Sequence, residues 1–201
     1  MAFQQFTFPQ VLTDLELSVS DEDFFGELPR EAVSPEFEAR IKEGADLASA
    51  IDTEKARSEF VIAPVLLELR RRHRGVFSLF SGVELVADAN RGLNGICDFA
   101  LAQPKSQHVM LFPILSIVEA KNDNIRSGLG QCIALMVAAK ILNDKKNVSN
   151  KPIFGVVTSG ALWKFLKLVG TTVSIDNSEY HIDDLGKLFA VLGSIVSSFR
   201  D

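Results

Sequence analysis

The sequence predicts an α/β fold of the α+β kind, and three observations predict it. Apolar residues recur at helical spacing in three separate regions. Runs of β-branched and aromatic residues bounded by glycine, proline and asparagine lie between them. The resulting order is helix, three or four strands, helix, two or three strands, helix. With 201 residues, 47% of them apolar and 23% charged, the composition is that of an ordinary soluble domain. A chain of this length buries roughly 70% of its unfolded surface and needs no metal or disulfide to fold. The chain reads as one domain, with an acidic N-terminal appendage over 1–52 and a core over 53–201.

Residues 1–30, with Pro9, Gly26 and Pro29, read as loops around one short strand or helix. Ser34 followed by Pro35 starts a helix over Glu36 to Leu47, with Phe37, Ile41 and Ala45 on one face. A second helix runs from Thr53 to Arg72, divided or kinked by Pro64, and ends in Arg70-Arg71-Arg72-His73-Arg74-Gly75. That cluster either terminates the helix or contacts phosphate. Strand-like stretches follow at Val76 to Phe80, Val83 to Ala87 and Asn94 to Ala102, and Ile114 to Lys121 reads as a central strand. Ser127 caps a buried helix over Gly128 to Leu142. Ile153 to Thr158, Leu162 to Val169 and Thr171 to Ile175 are three more strands, and Asp183 to Phe199 is a closing amphipathic helix.

The formal net charge of −5 conceals a division. Residues 14–54 hold 13 acidic and 3 basic side chains, and the rest of the chain carries a net +5. The acidic stretch is either a solvated face or a flap that competes with nucleic acid. Cys97 and Cys132, each among apolar neighbours, are core residues and fit a reducing compartment. The start of the chain carries no basic segment followed by an apolar run, and no stretch of 18 apolar residues occurs, so the expectation is a cytoplasmic protein without a membrane partner. A Gly-x-x-x-x-Gly-Lys loop is absent, and Gly128-Leu129-Gly130 lacks the third glycine of a dinucleotide cradle. His73, His108 and His181 are far apart and read as surface residues, so zinc has no site. Val157-Thr158-Ser159-Gly160 is not a nucleophile elbow.

What remains is Ile117-Val118-Glu119-Ala120-Lys121. Residues two apart in a strand share a face, about 7 Å from each other, so Glu119 and Lys121 point one way and Val118 and Ala120 the other. Charges at the end of a buried strand cost free energy unless they pair or bind an ion. An acid-x-Lys pattern is weak by itself, and a second instance, Asp144-Lys145-Lys146, reads as a solvated cluster. Context separates the two. The strand Gly95 to Leu101 carries Asp98 in alternation with Ile96 and Ala100, with Cys97 and Phe99 directed to the opposite layer. If that strand pairs with the Glu119 strand, two carboxylates and one lysine converge on a site for a hard cation, with magnesium the expected metal. Asp98 could instead be a buried carboxylate paired with a cation. Glu59 and Gln131, on the helices before the sheet and after Lys121, are further candidates that could equally serve the helix dipole and helix propensity.

The ordered set Glu59, Asp98, Glu119-Ala120-Lys121 and Gln131, laid on helix, strand, strand, helix, resembles the PD-(D/E)xK nuclease superfamily. The likeness covers Ser58 to Leu142. Glu59 to Leu67, Asp98-Phe99-Ala100-Leu101 and Val118-Glu119-Ala120-Lys121 are similar to the N-terminal nuclease region of type I restriction motor subunits, and Ile153 to Leu168 to the strands that follow there. The resemblance implies a restriction endonuclease-like three-layer core, a mixed sheet flanked by helices, and magnesium-dependent hydrolysis of phosphodiesters, with manganese as substitute. It implies that Asp98, Glu119 and the Ala120 carbonyl hold the metal, that Lys121 orients or activates the attacking water, that Glu59 is an auxiliary acid, and that Gln131 matches the glutamine after the lysine. Leu135 stands where that helix often carries an aromatic residue. The expected partner is nucleic acid, DNA before RNA, with a homodimer or a separate motor or specificity subunit supplying the second cut. The competing expectation is an inactive nuclease-like module that binds nucleic acid or a protein.

Overall fold

The computed structural model describes residues 3–103, 106–122, 124–148 and 151–200. Its centre is one mixed sheet in the order β1-β7-β6-β5-β4-β3-β2, with a two-residue strand, β8 (Tyr180–His181), added to β6. The strands are β1 Ser18–Glu22, β2 Ser78–Asp88, β3 Leu93–Gln103, β4 Leu111–Ala120, β5 Ile153–Thr158, β6 Leu162–Val169 and β7 Thr172–Asp176. β1 with β7 and β4 with β5 pair in parallel; the remaining neighbours are antiparallel.

Helices cover both faces, which makes the three layers expected from the sequence. On one face α2 (Pro35–Ile51), α4 (Ala63–Arg72) and α6 (Leu185–Ser197) bury Phe37, Leu66, Leu69, Phe189 and Ile195 against Val118, Val156 and Phe165. On the other, α5 (Ile125–Lys145) buries Cys132, Ile133 and Met136 against Ala100, Ile117 and Val157. Because both faces are covered, β5 is buried throughout and β4 from Ile114 to Ala120, and these strands read as continuous apolar runs. α5 is long and apolar enough to span a bilayer by composition, yet most of it lies against the sheet.

Several expectations need correction in detail. The stretch 1–52 is woven into the domain: Phe3 and Val11 are in the α5-side core, a short helix α1 (Gln10–Asp14) forms, β1 is an edge strand of the sheet, and Phe37 and Ile41 join the other core. The helix expected over 53–72 is divided next to Pro64 as anticipated, and only the form of the break is new. A short α3 (Glu54–Arg57) passes through a π-helical turn, Ser58–Ile62, into α4, whose first turn carries Pro64, a residue without the N–H that regular helical bonding would use. The two strands expected over 76–87 are one, with a kink at Gly82 (φ 64°). α5 begins at Ile125 after Asn124, and Ser127 lies inside its first turn, where its hydroxyl donates to the Asn124 carbonyl. In the flanking loops, Asp123 and residues 149–150 are outside the described residues.

Candidate active site

Glu119 is the next-to-last residue of β4. Its neighbours Val118 and Ala120 face the α2–α4–α6 core, so its side chain enters the α5 side of the sheet, where Ile117 also packs. β3 leaves β4 at this point. The last paired residues are Phe99 and Val118, and one more step of that register sets Asp98 across from Glu119. The alternation of β3 changes phase there: Cys97 belongs to the α5-side core and Phe99 to the opposite one, contrary to the expectation that both would share a layer. β2 changes phase alongside it at Gly82, between the pairs Ser81–Phe99 and Val83–Cys97. With the backbone of β3 diverted, the Asp98 carboxylate takes over its hydrogen-bonding role. Asp98 Oδ2 accepts from the Ala120 N–H at 2.8 Å.

Lys121 continues the parallel ladder, its N–H donating to the Thr158 carbonyl at 2.8 Å, which directs its side chain to the same face as Glu119. Lys121 Nζ lies 2.7 Å from Glu119 Oε1 and 3.7 Å from Glu54 Oε2. α5 holds the stem of Lys121 from above at Gly128, where a Cβ would stand 2.8 Å from Lys121 Cγ and 2.6 Å from Val157 Cγ1. The glycine that looked like a fragment of a nucleotide cradle is therefore a close-packing position between helix and strand.

Glu119 is 1% exposed, and its second oxygen, Oε2, is buried without a hydrogen-bond partner among the described residues. Burial, reinforced by the Asp98 charge and opposed by Lys121, pushes its pKa up to about 8. Burial also raises Asp98, against the Ala120 N–H and Lys121. Burial works against the Lys121 ammonium, but the surrounding carboxylates, Glu119 first, outweigh it and hold its pKa above the ordinary lysine value. Glu54, Asp98 and Glu119 thus face one ammonium, so acidic groups outnumber the cation at this strand end, and ionising Glu119 adds a negative charge that Lys121 alone does not balance.

Those charges and the orphaned Oε2 fit a divalent cation bound by hard oxygens. Among the described residues, no three His, Cys, Asp or Glu side chains form a ready-made cage. The oxygens would come from Asp98 and Glu119, with a backbone carbonyl such as that of Ala120 and water completing the shell.

The other two candidates are placed differently. Glu59 lies in the π turn with its side chain 53% exposed, and it pairs with Lys55 at 2.6 Å instead of facing the sheet. The helix-borne acid beside Lys121 is Glu54, capped into place by Thr53, whose hydroxyl accepts from the Ala56 N–H. The sequence signal for Glu54 was the Thr53-Glu54 helix start, five residues before the position singled out. Gln131 is buried on α5 one turn after Gly128, and no side-chain hydrogen bond links it to Asp98, Glu119 or Lys121. Arg57, unremarked in the sequence, donates to Asn122 Oδ1 at 2.8 Å and pairs with Asp52, so α3 is tied to the loop that follows Lys121. Acids of the N-terminal stretch therefore reach the rim of the site.

Both thiols are buried, and burial raises the pKa of each, which keeps them inert. His108 and His181 are exposed as expected, whereas His73 is half-buried and burial lowers its pKa. Compared with family models and with curated proteins, the chain matches none.

Proposed function

We propose that the chain is a metal-dependent nuclease of the PD-(D/E)xK type, hydrolysing phosphodiester bonds of DNA at the Asp98–Glu119–Lys121 site. One observation carries this reading. A fully buried carboxylate, Glu119, keeps one oxygen without a partner while a second carboxylate lies across from it and a lysine leans on its other oxygen. A structural ion pair would satisfy both oxygens, since an orphaned buried acceptor costs roughly 1–3 kcal/mol. Such an expense is expected of a binding site.

Asp98, Glu119 and the Ala120 carbonyl would hold Mg²⁺, with Mn²⁺ as substitute. Bound there, the ion would supply Lewis-acid neutralisation of charge on the scissile phosphate and a more acidic water. The chain's own groups do the remaining work. Lys121, kept charged by its carboxylate neighbours, donates hydrogen bonds that orient the attacking water and offset negative charge developing on the phosphate. It does not remove the proton, because its pKa is raised; that proton leaves to solvent or to a neighbouring carboxylate. Glu54 limits the swing of the Lys121 head group. Cutting both strands would require two such centres, which a homodimer would supply; a separate motor or specificity subunit is the other partner this reading allows. Free buried thiols are consistent with a cytoplasmic setting.

Relaxation of supercoiled plasmid tests the proposal. Wild type is expected to nick with Mg²⁺ or Mn²⁺ and not in EDTA, and Lys121→Ala is expected to lower the rate by at least about 100-fold. Metal-dependent nicking that survives undiminished in Lys121→Ala would remove the assignment. A wild type that binds DNA and never nicks it would favour the inactive module, a reading that draws on the Lys121–Glu119 pair closing the site on itself.

A further inference from the structure

The second feature with the chemistry of a binding site lies at the other end of the sheet, where β4 and β5 begin. A cavity of about 750 Å³ opens there, lined by Arg74, Lys151 and Arg200 and floored by Val76, Pro113 and Phe199. It lies on the α4–α6 face, since Val76 and Phe199 pack against that core, whereas Glu119 lies on the α5 face. Leu115, also in its wall, is four residues from Glu119 along β4, about 13 Å at the rise of a strand. The two sites are therefore separate.

The charged residues that line the cavity, among those described, are all basic. No carboxylate lines it among the described residues, and Arg74 and Arg200 form no ion pair with any described residue. Among the described residues, Lys151 donates to the Phe199 carbonyl, at 3.2 Å. Lys151 also borders a neighbouring cavity of about 260 Å³, where Lys140 stands with its partner Asp144. Cations that share one cavity with no carboxylate among its described lining residues favour an anion there. The floor decides which anion. An aromatic residue with an apolar wall, in a space large enough for a nucleotide, suits a planar base flanked by phosphates.

We infer that this cavity binds single-stranded nucleic acid, with one unstacked base lodged against Phe199 and its flanking phosphates on Arg74, Lys151 and Arg200. The surface works whether or not the distant carboxylate site cleaves, so its test is made without metal. Fluorescence anisotropy of a labelled oligothymidylate of about 20 nucleotides, in EDTA and about 50 mM salt, is compared for wild type, Glu119→Gln and the triple variant Arg74→Ala/Lys151→Ala/Arg200→Ala. Wild type and Glu119→Gln are expected to bind alike. The triple variant, altered only at exposed side chains and checked for an unchanged melting temperature, is expected to bind at least about tenfold more weakly. Its log–log salt dependence should be shallower by about 2, the value for three phosphate contacts on a single strand. Phe199→Leu is expected to weaken binding several-fold with the salt slope unchanged.

A wild type that does not bind, or a triple variant that binds with wild-type affinity and slope, overturns the inference. Competition by polyglutamate as effective as by unlabelled oligothymidylate would transfer the surface to acidic peptides. Displacement by thymidine monophosphate at equal concentration would transfer it to free nucleotides.

Discussion

The two ends of the sheet have opposite electrostatic character. At the end where β4 finishes, three carboxylates surround Lys121 and the local balance is negative. At the end where it starts, Arg74, Lys151 and Arg200 line a cavity that no carboxylate among the described residues lines. A polyanion approaching the molecule is therefore attracted to the end that lacks the candidate chemistry, and the end that has it repels phosphate until a cation binds. Under the proposed function, the two tasks of a nuclease, holding a strand and polarising one phosphate, would fall to different surfaces. The net charge of −5 describes neither end, so it does not count against the nucleic-acid partner proposed above.

The comparison is broken most directly by variants that should affect one end only. Lys121→Ala is expected to abolish nicking by about two orders of magnitude or more while leaving metal-free oligonucleotide binding unchanged. If both activities fell together in a folded protein, the two ends would not be independent. The cavity variants should do the converse, losing about tenfold in affinity while cleaving short duplexes with undiminished turnover at saturation, as single-turnover kinetics would show.

A proton sharpens the contrast next. Glu119 is pushed up to about 8, so at neutral pH the site binds a cation by displacing a proton, and Mn²⁺ affinity is expected to rise up to about tenfold per pH unit from pH 6 to 8 and then level off. Calorimetry in buffers of different ionisation enthalpy would reveal the released proton, and Glu119→Gln should bind weakly at every pH. The same shift sets a stability trend. Because the folded pKa lies above the ordinary value of 4.5, the folded state holds this proton more tightly; the contribution is fully present below 4.5 and is lost as pH rises to about 8. The urea midpoint of wild type should therefore fall relative to that of Glu119→Gln between pH 5 and 8.

Smaller effects test how the site is held. Gly128→Val forces a side chain onto Lys121 and Val157 and is expected to cost about 1–3 kcal/mol in urea melts, with cleavage reduced and the cationic end unaffected. Ser34→Ala removes an N-cap that accepts from the Phe37 N–H and should cost about 1 kcal/mol without touching either end. Glu59→Ala deletes only an exposed i,i+4 pair, so its melting curve should shift by less than about 0.5 kcal/mol.

How much of this was legible beforehand depended on the range of the interactions involved. Local signals carried far. Ser34-Pro35 marked a helix start, the apolar runs of β4 and β5 marked buried central strands, and the spacing of Glu119 and Lys121 settled that they share a face. The pairing of the Asp98 and Glu119 strands was conditional in the sequence, since pairing is a long-range event that alternation permits without requiring. The interruption of β3 at Asp98 was hidden, because a phase change shows only when the layers are known. Glu59 was singled out by the family resemblance, and the π turn that leaves its side chain half-exposed and paired with Lys55 has no mark in the sequence.

By itself the sequence determined the elements and the residue chemistry: which segments bury apolar faces, where helices can start, and that an acid and an ammonium two apart emerge from a buried strand. These follow from periods of 3.6 and 2 and from groups close along the chain. The tertiary structure alone decided which acid joins Lys121, that Glu119 keeps an unpartnered oxygen, and that Arg74, Lys151 and Arg200 meet around one cavity. Those facts depend on residues separated by tens of positions and on burial, which turns a charge that water would solvate into one that must find a partner.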